Sequence, residues 1–173
     1  LVDDGKVLLL NGGADLWVVQ RDTLGPYAEP SNVRDDAYRA LLGVRGVAEA
    51  GNVTYLTMQI PRAEGDVRVM LVGFEPGHPG EPGYLVAGRP ITRSHYEAIA
   101  DVKTGFRLDE RIRIRRHEYT VVGLTRRMVS SGGDPMVFVQ LDDITGNAEV
   151  VVFNSVYAAS QELLVNDAIL VVK

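Results

Sequence analysis

Between Arg111 and Val122 the sequence changes face at nearly every residue, and the rest of the chain reads as attached to this stretch. Ile112 and Ile114 alternate with Arg111, Arg113 and Arg115. That period of two is what a half-buried strand requires, because successive side chains point to opposite faces. Four polar residues, Arg115 to Glu118, make a turn, and Tyr119-Thr120-Val121-Val122 returns as a second strand. Gly123 marks a bend or a close approach of two backbones. The pattern predicts a β-hairpin with one apolar face and one row of arginines.

Around this hairpin, 173 residues with 46% hydrophobic content suffice for one domain, or one domain plus a small subdomain. No run approaches about 18 apolar residues, the length that would span a bilayer. The chain opens on Leu1 without a leader pattern, so the expectation is a piece of a longer protein. The absence of cysteine excludes disulfides and thiolate metal sites. The net charge of −5 is unevenly spread. From Lys103 to Arg127 eight basic residues face only Asp109, Glu110 and Glu118, whereas acidic residues dominate from Met128 onward. An acidic chain overall disfavours a polyanion as its main partner.

Residues 6–10 and 15–20 are short apolar runs about Asn11-Gly12-Gly13 and predict two buried strands, with Trp17 in the core. Ser31 is placed to cap a helix running to about Leu42, with Asp35 and Asp36 in its first turns. Val33, Ala37, Ala40 and Leu41 fall at helical spacing, and Gly43 and Gly46 end the helix. Residues 47–60 and 67–74 predict paired long strands. The Pro- and Gly-rich segment 75–90 predicts an ordered loop that docks Tyr84-Leu85-Val86 on the core. Strands over 137–141 and 148–153, a helix over about 156–164 and a strand over 168–172 complete the reading. The fold class is α+β, a mixed or antiparallel β-rich domain with one or two short helices.

A family resemblance runs through several of these segments. The order Glu97-Ala98-Ile99-Ala100-Asp101, a spacer, Leu108-x-x-x-Ile112-x-Ile114, a short turn, then Tyr119-Thr120-Val121-Val122-Gly123-Leu124 resembles the extracytoplasmic domain of MacB/FtsX-like ABC transporter permeases. "LLGVRGVAEAG" after the helix and Gly88-Arg89-Pro90 before Glu97 fit the same pattern, which covers roughly residues 6–143. The family usually has Leu-Gly-Asp before the first hairpin strand. Leu108-Asp109-Glu110 stands here instead, without the turn glycine.

The tail resembles something else. Pro135-Met136-x-Phe138-Val139-x-Leu141-x-Asp143-x-Thr145-Gly146-x-x-Glu149-Val150-Val151-Val152-Phe153, then Tyr157 and Leu163-Leu164-x-x-Asp167-Ala168-Ile169-Leu170-Val171-Val172, is similar to the OB-fold domain of the bacterial DNA polymerase III alpha subunit. This match is denser but covers about a quarter of the chain. It implies an OB-like strand-strand-helix-strand segment over 134–173, against a permease-type domain over 1–133. The tail is either a separate unit or the completion of the first. The two patterns meet in 119–143, where both families place strand, loop, strand.

The sequence holds few residue patterns that carry chemistry. No Gly-Lys-Ser/Thr sequence supplies a phosphate loop, since the lysines are Lys6, Lys103 and Lys173. His78, His95 and His117 lie in three separate contexts without metal-ligand spacing. No G-x-S-x-G elbow is present, and Ser94-His95 adjacency does not make a base of the histidine. Asp142-Asp143 read as turn residues rather than a cation site. Arg111, Arg113, Arg115 and Arg116, with Arg126 and Arg127, are the candidate partner-binding residues, for anionic headgroups, a phosphate backbone or an acidic protein surface. The plainer reading is a solvated strand face whose like charges discourage edge-to-edge pairing.

The permease resemblance implies a non-catalytic domain without cofactor or metal, on the outer side of the membrane and anchored in it through the parent protein. It implies an ATP-binding subunit as partner through the membrane part, and a periplasmic protein or lipid as contact of the arginine row and loop 75–90. The alternative is an OB-type single-stranded nucleic-acid-binding module, with Phe138 and Phe153 stacking bases.

Overall fold

A computed structural model describes residues 12–24, 31–34, 36–92 and 96–140. Its elements are one helix, α1 (Ala37–Leu42), and seven strands: β1 (Val53–Ile60), β2 (Val67–Phe74), β3 (Ala87–Gly88), β4 (Glu97–Asp101), β5 (Arg111–Ile114), β6 (His117–Thr125) and β7 (Met136–Gln140). A 3₁₀ turn, Val102–Thr104, follows β4. The strands form one mixed sheet in the order β1-β2-β7-β4-β6-β3, with β5 also paired to β6. Thr120 pairs with both Glu97 and Arg111, so β5 and β3 occupy the edge of β6 opposite β4. The fold is α+β and β-rich, as the sequence predicts.

The central strands are apolar runs without polar alternation because both faces of the sheet are covered. Along β7, Val137 and Val139 point into one cluster, and Met136 and Phe138 into the other. The first cluster joins Leu71, Ala98 and Ala100 to Ile112, Ile114, Tyr119 and Phe106. The second joins Val72, Phe74 and Ile99 to Ile91, Met128 and the loop residue Leu85. Phe74 and Phe138 meet edge to face there, their centroids 6.3 Å apart. A bulge lets both faces be filled: Ala98 pairs with Val121 but Ile99 pairs with Gly123. Val122 is thus the extra residue that turns to the second cluster while Val121 stays in the first.

The hairpin forms as the alternation predicts, Ile112 opposite Tyr119 and Ile114 opposite His117. Its turn is tighter than the four-residue turn expected, with only Arg115 and Arg116 outside the ladder. The β1–β2 pair also forms, although its first strand starts at Val53 rather than at Val47.

Two expectations are corrected. Residues 15–20 form no strand, and Leu16 is 82% and Val18 53% exposed. Trp17 is half-buried, with its ring tilted against Tyr55 at 6.4 Å rather than lying deep in the core. The helix spans only Ala37–Leu42, and Ser31 does not cap it. The Ser31 hydroxyl accepts from the Gln20 amide at 2.7 Å instead. Asp36 holds the cap position, but Arg34 binds its carboxylate at 2.7 Å and it makes no cap bond. The runs at 6–10, 148–153, 156–164 and 168–172 lie outside the described residues.

β7 lies C-terminal to the expected boundary at 133/134, yet it sits inside the sheet, parallel to β2 and antiparallel to β4.

Candidate functional site

The arginines are positioned by the hairpin's alternation. Ile112 and Ile114 are buried, which leaves Arg111 and Arg113 on the opposite, exposed face. Arg111 meets Glu118 across the ladder at 3.7 Å, both side chains largely exposed, so the pair contributes little to stability. Arg113 donates its Nε to the carbonyl oxygen of Arg115 at 3.3 Å, which folds its side chain towards the turn. Arg115 has φ +55°. Arg126 and Arg127 follow the other end of the nine-residue β6, roughly 30 Å from the turn at strand rise. The structure thus brings Arg111, Arg113, Arg115 and Arg116 together and sets Arg126 and Arg127 apart.

Beside the hairpin opens a cleft of about 390 Å³, lined by Arg89, Tyr96, Glu97, Asp109, Arg111 and Glu118 among others. At its floor, Arg89 donates to both carboxylate oxygens of Glu97, Nη1 reaching Oε2 at 2.9 Å and Nη2 reaching Oε1. Glu97 is 7% exposed, the first residue of a strand buried along its whole length. Its carboxylate raises the Arg89 pKa above the ordinary value. Removing Arg89 alone leaves a buried carboxylate without its guanidinium. Arg89→Ala is therefore expected to melt at a lower temperature than the double variant Arg89→Ala/Glu97→Gln. A double variant no more stable than the single one would refute this.

Asp109 takes φ +63°, a left-handed region that aspartate tolerates better than most residues. Its amide donates to the Val121 carbonyl at 2.9 Å, tying the turn to β6.

Asp101, fully buried at the end of β4, accepts from the Lys103 amide at 2.8 Å through Oδ1 and from the Met128 amide at 2.7 Å through Oδ2. Burial pushes its pKa up, opposed by those two bonds and by the charges of Lys103 and Arg126. It anchors the 3₁₀ turn and the start of the β6–β7 connection on one carboxylate. Neither this anchor nor the Arg89–Glu97 pair follows from sequence spacing. The available signal is that both acids bracket an otherwise apolar strand, Glu97-Ala98-Ile99-Ala100-Asp101.

Phe138, a base-stacking candidate in the OB reading, is 2% exposed and committed to the second cluster. Phe153, His95 and the Asp142-Asp143 pair lie outside the described residues. No group of three metal-ligating side chains occurs among the described residues, and no helix there is long and apolar enough to cross a membrane.

No family model matches the chain. The DNA polymerase III alpha subunit of Pseudomonas aeruginosa is 37% identical over 94 residues, which is 53% of this chain and 8% of that protein's length. Among solved structures, the chain is similar to the extracellular domain of the ABC-type transporter YknZ from Gram-positive bacteria. That alignment has a TM-score of 0.49 and 16% identity, over 62% of each chain. It is also similar to the periplasmic region of MacB from Actinobacillus actinomycetemcomitans, with a TM-score of 0.47 and 14% identity over 77% of this chain and 72% of the other.

Proposed function

We propose that the chain is a non-catalytic extracytoplasmic domain of an ABC transporter permease of the MacB/FtsX-like type. Its role is to transmit ATP-driven motion from the membrane part of the parent protein to a substrate or partner. One observation carries the reading: the residues of the permease-like sequence pattern fall at the joints of a single sheet. Gly88 meets Gly123 where β3 crosses β6, Arg89 binds Glu97, and Asp101 ties β4 to the loop before β7. Such joints make a stiff body suited to passing on displacement. In this reading the parent partners an ATP-binding subunit, and the hairpin arginines with loop 75–90 contact a periplasmic protein or lipid.

The chain lacks cysteine, so Arg116→Cys in the parent protein places one thiol of this domain at the hairpin turn. Intact cells are expected to react there with a membrane-impermeant maleimide. Labelling that appears only after lysis would sink the reading.

A second reading, an OB-type module that binds single-stranded nucleic acid, draws on the 37% identity to the polymerase subunit. It predicts salt-sensitive binding of a single-stranded oligonucleotide, and no binding at low salt would remove it.

A further inference from the structure

The turn between β5 and β6 gathers three guanidinium groups that make no ion pair among the described residues. Glu118 stands opposite Arg113 in the ladder, but its carboxylate reaches diagonally to Arg111, 3.7 Å away. Among the described residues, no carboxylate lies within ion-pair distance of Arg113, Arg115 or Arg116. Arg115 holds φ +55° at a position that favours glycine, and non-glycine residues held in this region collect at functional positions. Beside the turn, Tyr96, itself at φ +66° and 44% exposed, stacks on His117 with centroids 5.0 Å apart and planes at 26°. Its ring also meets the buried Tyr119 edge to face at 5.6 Å.

We infer that this turn docks on the anionic surface of a lipid bilayer. Arg113, Arg115 and Arg116 take headgroup phosphates through their paired donors, and the Tyr96 ring sits at headgroup level. The inference rests on the transporter reading, which sets the domain beside a membrane.

Two features favour a bilayer over a polynucleotide. The basic patch spans four residues, about 10 Å of chain, and Arg126 and Arg127 lie beyond the far end of β6, so among the described residues no continuous track follows a phosphate backbone. Tyr96 and His117 each give one ring face to the other, which removes faces that bases would stack on. A bilayer asks only for a point contact, and a phenol ring with one wet edge suits its interface.

Co-sedimentation of the 173-residue chain with vesicles tests this. Binding is expected to phosphatidylcholine vesicles containing about one-third phosphatidylglycerol, weakening as salt rises, with none to phosphatidylcholine alone. Each arginine is worth roughly fivefold in affinity at an anionic surface, so Arg115→Ser/Arg116→Ser is expected to lose about 25-fold. Its melting temperature should stay at the parent value, and Arg126→Ser should bind as the unaltered chain does. Equal binding to both vesicle types, or binding indifferent to the turn substitutions, overturns the inference. So does tighter binding to a single-stranded oligonucleotide with the same loss in the double variant. Extracellular labelling of Arg116→Cys without vesicle binding overturns the docking and leaves the transporter reading standing.

Discussion

Replacing Gly88 with alanine is expected to bring the chain close to unfolding. Gly88 has φ +78°, and a β-carbon there would lie 2.2 Å from the Val122 carbonyl oxygen, 2.7 Å from Leu108 Cδ2 and 2.9 Å from the Gly123 α-carbon. Two of those three atoms are backbone in the strand ladder, so relief requires β3 to separate from β6. Left-handed strain and overpacking each contribute about 1–3 kcal/mol, together about 4 kcal/mol against a typical domain stability of about 5–15 kcal/mol. In urea the midpoint should fall by about a quarter or more with an unchanged slope. Gly123→Ala meets the Arg89 carbonyl oxygen at 2.6 Å and should cost somewhat less. Because the two glycines face each other, their effects should not add. Gly65, at φ +118° with nothing within 4 Å of a β-carbon, separates strain from crowding. If Gly88→Ala costs no more than Gly65→Ala, the crossing is not tightly packed.

The second large effect is expected at Asp101. Truncation to alanine strands the buried Met128 amide and the part-buried Lys103 amide. At about 1–3 kcal/mol for an unsatisfied buried donor and less for the part-buried one, the loss is about 3 kcal/mol. Asp101→Asn keeps one acceptor and should cost about half as much. The pH dependence has a definite sign. Burial raises the folded-state pKa above the ordinary 3.8, so the folded chain takes up this proton more readily than the unfolded one. The group's contribution to stability is fully present below 3.8 and is lost as pH rises through the raised folded value. The margin of the unaltered chain over Asp101→Asn should therefore be larger at about pH 3 than at about pH 7. A margin that shrinks on acidification would show that the amide bonds outweigh desolvation.

What the sequence discloses and what it hides divide along one physical line. Ile112 and Ile114 announce their strand because alternation is a local property, and the β1–β2 pair is legible for the same reason. Leu16 and Val18 mislead because apolar character alone does not make a strand; it needs a ladder partner, and none forms among the described residues. Ser31 misleads because a hydroxyl that suits a helix start serves equally well as acceptor for the Gln20 amide, eleven residues earlier. Within the site, the arginines of the hairpin are legible as a group. The distance to Arg126 and Arg127 is not, since it depends on the unbroken length of β6. The Arg89–Glu97 pair and the double acceptance by Asp101 depend on which strands become neighbours, which no local pattern encodes.

The place of β7 carries a consequence for how the chain emerges from the ribosome. Val72 and Phe138 lie side by side in parallel strands, yet 66 residues of chain separate them. Until that last segment is synthesised, β2 and β4 each present a bare row of amides and carbonyls, the kind of template that recruits other chains. Such distant closure is slow, so the nascent polypeptide stays vulnerable to mispairing until residues 136–140 slide between two waiting edges.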